Sequence, residues 1–195
     1  QYGILPVDRD AFKGEVPEIK NIVPFSPFHY YIERKLFIQN MGHAICAYLG
    51  DYLGHEYIYQ SIADPYVRLI VQNAMLESSL TLAVKYGTPV KPLTDHSADL
   101  IRRFSNKALG DTCARVGNDI PRKLALSDRL TGSGISALEN GVQPVFIALG
   151  SAAALHDYIK QNSLPTDSDS AAKTLISLTS LSGEDTLTKL TMRFY

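Results

Sequence analysis

The chain has 195 residues, a length that suits one domain with a substantial hydrophobic core. Its formal net charge is −1, and the sequence has neither a basic block nor an acidic tail, which argues against a nucleic-acid or membrane partner. No apolar run is long enough to cross a bilayer. Cys46 and Cys113 are far apart and lack metal-ligand spacing, so we expect reduced thiols in a cytoplasmic protein.

The first half of the chain predicts an extended lead-in followed by long helices. Residues 1–28 contain four prolines and few helical signals, with at most a short strand around residues 19–23. A helix is predicted over residues 29–52. Asp64-Pro65 predicts the N-terminus of another helix, because Asp is a favoured cap and Pro fits the first turn, and Gly87 should end it.

The second half predicts shorter helices separated by polar breaks. We expect a helix from Thr94-Asp95 to about residue 107, and a loop at Thr131-Gly132-Ser133-Gly134. The other predicted helices cover residues 111–116, 122–130, 135–139, 144–160, 171–181 and 184–194. No segment alternates convincingly as a sheet. The fold class is therefore all-α, a bundle of about eight helices.

The segment from Lys35 to His43 carries the most informative polar residues. Lys35, Asn40 and His43 lie in an otherwise apolar helix, and Asn40 and His43, three residues apart, share a face. The long arm of Lys35 can reach along that face. An amine, an amide donor and an imidazole at one place can polarise or deprotonate an alcohol. The alternative is a helix with a snorkelling Lys and two satisfied polar groups.

The same segment resembles the Lys-x4-Asn-x2-His signature of the polyol-specific long-chain dehydrogenase/reductase family. The resemblance covers about residues 5–160 and includes, in order, Asp8-Arg9-Asp10-Ala11-Phe12, Glu33-Arg34-Lys35-Leu36-Phe37, Gly42-His43-Ala44, Arg103-Phe104-Ser105-Asn106, Asp111, Arg115-Val116-Gly117, Arg122-Lys123-Leu124 and Asp128-Arg129-Leu130. It implies the helical C-terminal fold of 6-phosphogluconate dehydrogenase.

The resemblance also implies roles for these residues. Lys35 would be the general base, Asn40 would donate to the developing oxyanion, and His43 would bind a substrate hydroxyl. Hydride would pass to NAD without a metal. The motifs are nearest to those of members that interconvert mannitol 1-phosphate and fructose 6-phosphate. Relatives acting on mannitol, fructuronate or tagaturonate share the Lys-Asn-His core and remain an alternative.

Two further basic groups are candidates for substrate binding. Arg103 can fork across hydroxyls or a phosphate, or simply pair with Asp99 or Glu77. The family usually has Pro after the Asn of this motif, here Asn106, whereas this chain has Lys107. Arg122, Lys123 and Arg129 can bind a sugar-alcohol phosphate, or form a structural ion-pair network with the nearby acids. The other four histidines, His29, His55, His96 and His156, lack metal spacing and are poor site candidates.

The chain contains no glycine-rich strand–turn–helix of a dinucleotide-binding unit. We therefore expect residues 1–28 to lead in from an N-terminal Rossmann-type domain that binds NAD, and residues 29–195 to form the substrate domain, inactive alone. The alternative from another class is a helical interaction module without catalysis.

Overall fold

The computed structural model describes residues 4–195 and begins with a small parallel sheet rather than with helices. Strand β1 (Leu5–Asp8) pairs with β2 (Ile22–Phe25), with Leu5 opposite Ile22 and Asp8 opposite Phe25. A 3₁₀ turn, Arg9–Ala11, follows β1, and the Asp8 side chain accepts a hydrogen bond from the Asp10 amide. The extended lead-in therefore contains a two-stranded sheet that the sequence analysis did not predict, and its second strand lies about three residues later than expected.

Helices form the rest of the chain, which confirms the all-α class for the main body. The predicted helix over residues 29–52 is one helical rod with three parts, because its middle is π-helical. In chain order the elements are α1 (Phe28–Glu33), a π-helical segment (Arg34–Asn40), α2 (Met41–Tyr52), α3 (Ile58–Ala63), α4 (Pro65–Tyr86), α5 (Lys91–Phe104), a 3₁₀ turn (Lys107–Leu109), α6 (Cys113–Gly117), α7 (Ile120–Leu124), α8 (Thr131–Glu139), α9 (Val145–Gln161), α10 (Ser168–Thr179) and α11 (Thr186–Met192).

The ends of α4 follow from local chemistry, as predicted. The Asp64 carboxylate accepts hydrogen bonds from the amides of Tyr66 and Val67, at 2.8 and 3.1 Å, and Pro65 occupies the first turn. Gly87 ends the helix with φ 61°, a left-handed conformation that glycine adopts without steric cost.

The predicted loop at residues 131–134 is wrong, because these residues form the first turn of α8. Both glycines are buried at close contacts: a Cβ on Gly132 would lie 2.9 Å from the carbonyl carbon of Ser127, and one on Gly134 would lie 2.8 Å from the Leu187 methyl groups. The Thr131 hydroxyl donates to the Leu124 carbonyl at 2.6 Å. Glycine here permits close packing and does not mark a turn.

Two other helix boundaries differ from the prediction for a shared reason, which is a proline in the first turn. Helix α5 begins at Lys91, with Pro92 next, and not at Thr94. Helix α7 runs from Ile120 to Leu124 with Pro121 in its first turn, so the predicted helix over 122–130 is wrong in both bounds.

Helix α2 is the centre of the core and packs against α9, α6, α4 and α3. Ile45 of α2 fills the space above Gly150 of α9, where an added Cβ would lie 2.4 Å from the Ile45 side chain. Gly42 of α2 faces the Met75 side chain of α4. Its position therefore reflects helix packing. Cys46 and Cys113 are buried free thiols. Among the described residues, no helix is long and apolar enough to span a membrane.

Candidate active site

The Lys-Asn-His segment adopts π-helical winding from Arg34 to Asn40 and returns to an α-helix at Met41. In an uninterrupted α-helix, at about 100° per residue, Lys35 would point about 140° away from Asn40 and about 80° away from His43. The i→i+5 bonding of a π-helix widens the turn to roughly 4.4 residues, which brings Lys35 to within about 50° of Asn40 and about 10° of His43. The π-helical winding therefore turns the three side chains towards a common face.

A buried carboxylate anchors the start of this π-helical segment. Glu33 accepts hydrogen bonds from the Lys85 ammonium at 2.7 Å and the Tyr86 hydroxyl at 2.9 Å, both at the end of α4. Its Oε1 also lies 3.0 Å from His29 Nε2. Burial, together with this contact to Glu33, raises the pKa of Tyr86. The residue two positions before Lys35 is therefore fixed to a neighbouring helix.

Lys35 is exposed and lies at the edge of a mostly apolar pocket of about 350 Å³. Its lining residues come from the lead-in, α1, the π-helical segment and α5: Ile4, Pro6, Phe28, Tyr31, Ile32, Arg34, Lys35 and His96. The Arg34 guanidinium lies 4.3 Å from the centre of the Tyr31 ring. By its sequence His96 is a poor site candidate, because no local pattern links it to Lys35 and it lies on another helix.

His43 lies in a second pocket, of about 130 Å³, farther along the same face. Its ring stacks on Phe104 of α5, with centroids 4.7 Å apart and 13° between planes, and its Nε2 lies 3.7 Å from Asp111 Oδ2. Burial lowers the pKa of His43 to about 4; Asp111 opposes this shift, while Arg115, Arg129 and Lys123 add to it. The imidazole is therefore neutral at physiological pH and can hydrogen-bond a hydroxyl.

Asn40 lies between these two positions and is half-buried. Its side-chain amide makes no hydrogen bond to any residue between Ile4 and Tyr195, so its N–H donors are available to a ligand.

Arg103 lines the His43 pocket, together with Gln39, Asn106 and Asp111. One guanidinium nitrogen lies 3.9 Å from Asp99, the partner that the sequence allowed, whereas Glu77 accepts hydrogen bonds from the first amides of α9. Lys107, where the family usually has Pro, begins a 3₁₀ turn that the Asn106 side chain caps by accepting from the Ala108 amide at 3.0 Å.

His96 and Arg103 are seven residues apart on α5, which places them two turns apart on one face. His96 lines the Lys35 pocket and Arg103 lines the His43 pocket. The two pockets therefore follow one another along the groove between α5 and the rod that contains the π-helical segment.

The predicted basic cluster divides into an outer and an inner part. Arg122 is exposed and pairs with Asp119 and Asp128. Arg129 is largely buried, and its Nε donates to Asp128 at 2.8 Å. Arg129 and Lys123 are among the cations that act on the His43 ring, whereas Arg122 is not.

Lys123 has the most unusual surroundings in this cluster. It is 4% exposed, and its ammonium makes no hydrogen bond or ion pair within the part of the chain that the structure describes. Burial lowers the pKa of Lys123 to about 8, and repulsion from Arg129 and Arg122 outweighs attraction to Asp119 and Asp128. Such an ammonium is suited to bind an anion.

Asp111 is the site residue that the sequence analysis did not single out, although it belongs to a matched motif. An Asp followed four residues later by Arg115 is typical of a surface ion pair, which concealed its second neighbour, His43. Residues 4–195 contain no group of three or more His, Cys, Asp or Glu side chains placed to hold a metal.

Comparison with known proteins places these features in a family. A family model described as "Mannitol dehydrogenase C-terminal domain" matches residues 28–188. Mannitol-1-phosphate 5-dehydrogenase of Exiguobacterium sp. (strain ATCC BAA-1283 / AT1b) is 36% identical over 188 residues, which cover 93% of this chain and 49% of that protein. The chain thus spans about half the length of this curated relative.

Two solved structures share the fold, each with a TM-score of 0.66. One is a substrate-free D-sorbitol dehydrogenase, 18% identical, over 88% of this chain and 39% of that one. The other is the Pseudomonas fluorescens mannitol 2-dehydrogenase ternary complex with NAD and D-mannitol, 20% identical, over 90% of this chain and 39% of that one. The chain belongs to the mannitol dehydrogenase C-terminal domain family.

Proposed function

We propose that this chain is the substrate domain of an NAD-dependent dehydrogenase that interconverts mannitol 1-phosphate and fructose 6-phosphate. The observation that carries the proposal is the pair of pockets beside α5, one lined by Lys35 and the other by His43 and Arg103, with the inner cations Lys123 and Arg129 acting on His43. Residues 1–28 would connect this domain to an N-terminal Rossmann-type domain.

The chain's own residues have separate roles in this proposal. Lys35 removes the proton from the reacting hydroxyl, and Asn40 donates an amide hydrogen bond to the oxygen as its negative charge develops. The neutral His43 hydrogen-bonds another hydroxyl and holds the sugar chain along the groove. Arg103, which lines the same pocket, binds a further hydroxyl.

NAD would be bound mainly by the N-terminal domain and would supply the hydride acceptor. The part that this chain offers is the pocket of about 350 Å³ beside Lys35, whose walls are largely apolar. A flat nicotinamide ring fits such surroundings better than the polar His43 pocket. We expect the reaction to need no metal, since Lys35 and Asn40 supply the base and the oxyanion donor. The free thiols Cys46 and Cys113 favour a cytoplasmic location.

The choice of a phosphorylated substrate rests on the basic cluster. A free polyol carries no charge that could pair with the buried ammonium of Lys123, whereas a phosphate can pair with several cations at once. We assign this role to Lys123 and Arg129, with Arg122 at the outer edge. The 36% identity to a mannitol-1-phosphate 5-dehydrogenase agrees with this assignment.

The first experiment compares substrates with the full-length protein and NAD. We expect NADH to form with mannitol 1-phosphate at a kcat/KM at least tenfold above that with mannitol. A preference for mannitol would favour an enzyme of unphosphorylated polyols, and reduction of fructuronate or tagaturonate would favour the sugar-acid branch. No turnover with any of them would favour a helical interaction module.

The second experiment tests the proposed base. Lys35→Ala should lower kcat by a factor of about 100 or more and leave NAD affinity nearly unchanged. Lys91→Ala is the matched control, because Lys91 is also an exposed helical lysine but pairs only with Asp95 one turn later. Near-normal turnover of Lys35→Ala would remove Lys35 from the mechanism.

A further inference from the structure

The carboxylate of Asp111 lies between two side chains, His43 and Arg115. Its Oδ2 lies 3.7 Å from His43 Nε2, and its Oδ1 forms an ion pair with Arg115. Both Asp111 and His43 line the pocket of about 130 Å³. At 3.7 Å the carboxylate and the imidazole are too far apart for a good hydrogen bond to each other, so both retain bonding capacity.

The backbone fixes Asp111 firmly at this place. Its carbonyl accepts from the Ile58 amide at 2.9 Å, and the Cys113 amide donates to the Glu56 carbonyl at 2.8 Å. Between these bonds, Thr112 forms an antiparallel bridge with Tyr57. The segment that carries Asp111 is therefore tied to the start of α3 on both sides, and the Arg115 pair holds the side chain as well.

The orientation of the His43 ring is also fixed. Its stacking on Phe104 sets the plane of the imidazole, so Nε2 has a defined direction. An oxygen atom about 2.8 Å from both Nε2 and Oδ2 fits the separation between them. A hydroxyl at that point donates its proton to the carboxylate and accepts one from Nε2–H, so each of the three groups uses its ordinary hydrogen-bonding capacity.

We propose that Asp111 and His43 together bind one hydroxyl of the polyol chain, which makes Asp111 a substrate-binding residue that determines specificity. The inference rests on the proposed function, since it assumes that a polyol lies in the groove. It adds a requirement: the enzyme should distinguish substrates by the presence of the unreacted hydroxyl that Asp111 and His43 bind. A site built to bond a hydroxyl rejects an analogue lacking it, because its polar groups are then left unpaired.

The experiment uses the full-length protein, NAD and a set of deoxy analogues of mannitol 1-phosphate, each lacking one hydroxyl that does not react. For the wild type, one analogue should lose at least tenfold in kcat/KM. Asp111→Ala should lose a similar factor with the complete substrate and almost nothing further with that analogue. Asp111→Asn, which keeps the shape and can still accept a hydrogen bond, should lose less. Asp95→Ala, at an exposed ion pair on α5, is the control and should change neither value.

The outcomes separate the possible roles of Asp111. An equal loss for Asp111→Ala with every analogue indicates a structural role and overturns the inference, whereas the proposed function stands if the wild type oxidises mannitol 1-phosphate. If Asp111→Ala does not fold, Asp111→Asn and His43→Ala provide the same comparison. Each should lower kcat/KM for the complete substrate but cause almost no further loss with the analogue that lacks the bound hydroxyl. Absence of polyol oxidation by the wild type contradicts the proposed function itself.

Discussion

Two parts of the helical rod from Phe28 to Tyr52, α2 and the π-helical segment, differ in how many of their residues are buried. In α2, eight of twelve residues are buried, against only Phe37 and Ile38 in the seven-residue π-helical segment. Helix α2 packs against four other helices, whereas the π-helical segment borders the groove beside α5. The α-helical half therefore secures the rod in the core, and the π-helical half presents polar side chains. One continuous element thus transmits the rigidity of the core to the site, an arrangement that favours precise placement of functional groups.

The largest expected effect on the buried side comes from Glu77. This buried carboxylate of α4 accepts from the Phe146 and Ile147 amides at 2.9 and 3.0 Å, so it joins α4 to the start of α9. Glu77→Ala leaves two buried N–H groups without partners and should lower the free energy of unfolding by about 3 kcal/mol. Denaturant unfolding of the full-length protein measures this change. Glu139→Ala, at an exposed glutamate, should stay within about 0.5 kcal/mol; equal effects would contradict the assigned role.

A smaller loss should follow from filling the closest helix contact. Gly150→Ala places a methyl group 2.4 Å from Ile45, so α2 and α9 must separate slightly, and the free energy of unfolding should fall by about 2 kcal/mol. Gly42→Ala is the matched variant, because the atoms nearest to its methyl group belong to the flexible Met75 side chain. We expect it to cost less than about 1 kcal/mol and to leave kcat unchanged. A large loss of turnover in Gly42→Ala would place that glycine in the active site.

On the functional side, a substitution at Lys123 should weaken phosphate binding without lowering stability. Lys123→Met keeps the apolar stem and removes the charge, so kcat/KM for mannitol 1-phosphate should fall at least tenfold, or about 1.4 kcal/mol. The thermal unfolding temperature should change little or rise, because the substitution removes a buried charge that has no partner within residues 4–195. Arg122→Met is the control at the exposed edge of the cluster and should lose less than about threefold. The reverse order would move the phosphate to the outer part of the cluster.

The pH dependence of binding provides the smallest and most specific test of the same residue. Burial and neighbouring cations lower the pKa of Lys123 to about 8, and only the protonated form attracts a phosphate. The Kd for mannitol 1-phosphate should therefore rise several-fold between pH 8 and 9, a range in which the phosphate, with a second pKa of about 6, stays a dianion. Lys123→Arg stays charged throughout this range and should abolish the rise. An unchanged rise in Lys123→Arg would assign it to another group.

The sequence predicted those features that depend on neighbouring residues along the chain. The Asp64-Pro65 start and the Gly87 end of α4 are local capping effects, and both are confirmed. The first turn of α8 was predicted as a loop because the reason for its glycines lies in Ser127 and Leu187, whose approach is tertiary. The π-helical winding was missed for a similar reason, since apolar spacing does not distinguish one wide turn from α-helical turns.

The site shows the same division. Lys35, Asn40 and His43 came from one segment, and Arg103 was a reasonable addition that the structure brings to the His43 pocket. Neither Asp111 nor His96 was selected, because their proximity to the signature depends on how α5 and the 110–113 segment pack against the rod. Lys123 was proposed only as part of a cluster. Its burial and its lack of a partner within residues 4–195 distinguish it from Arg122, and a sequence shows neither property.

The most direct test is the structure of the full-length protein with NAD and mannitol 1-phosphate bound, with Lys35→Ala used to slow turnover. We expect the polyol to lie in the groove between α5 and the π-helical segment, with the reacting hydroxyl beside Asn40 and residue 35. A second hydroxyl should lie between His43 and Asp111, and the phosphate within hydrogen-bond distance of Lys123. A substrate bound outside this groove, or with its phosphate turned away from Lys123 and Arg129, would contradict this expectation.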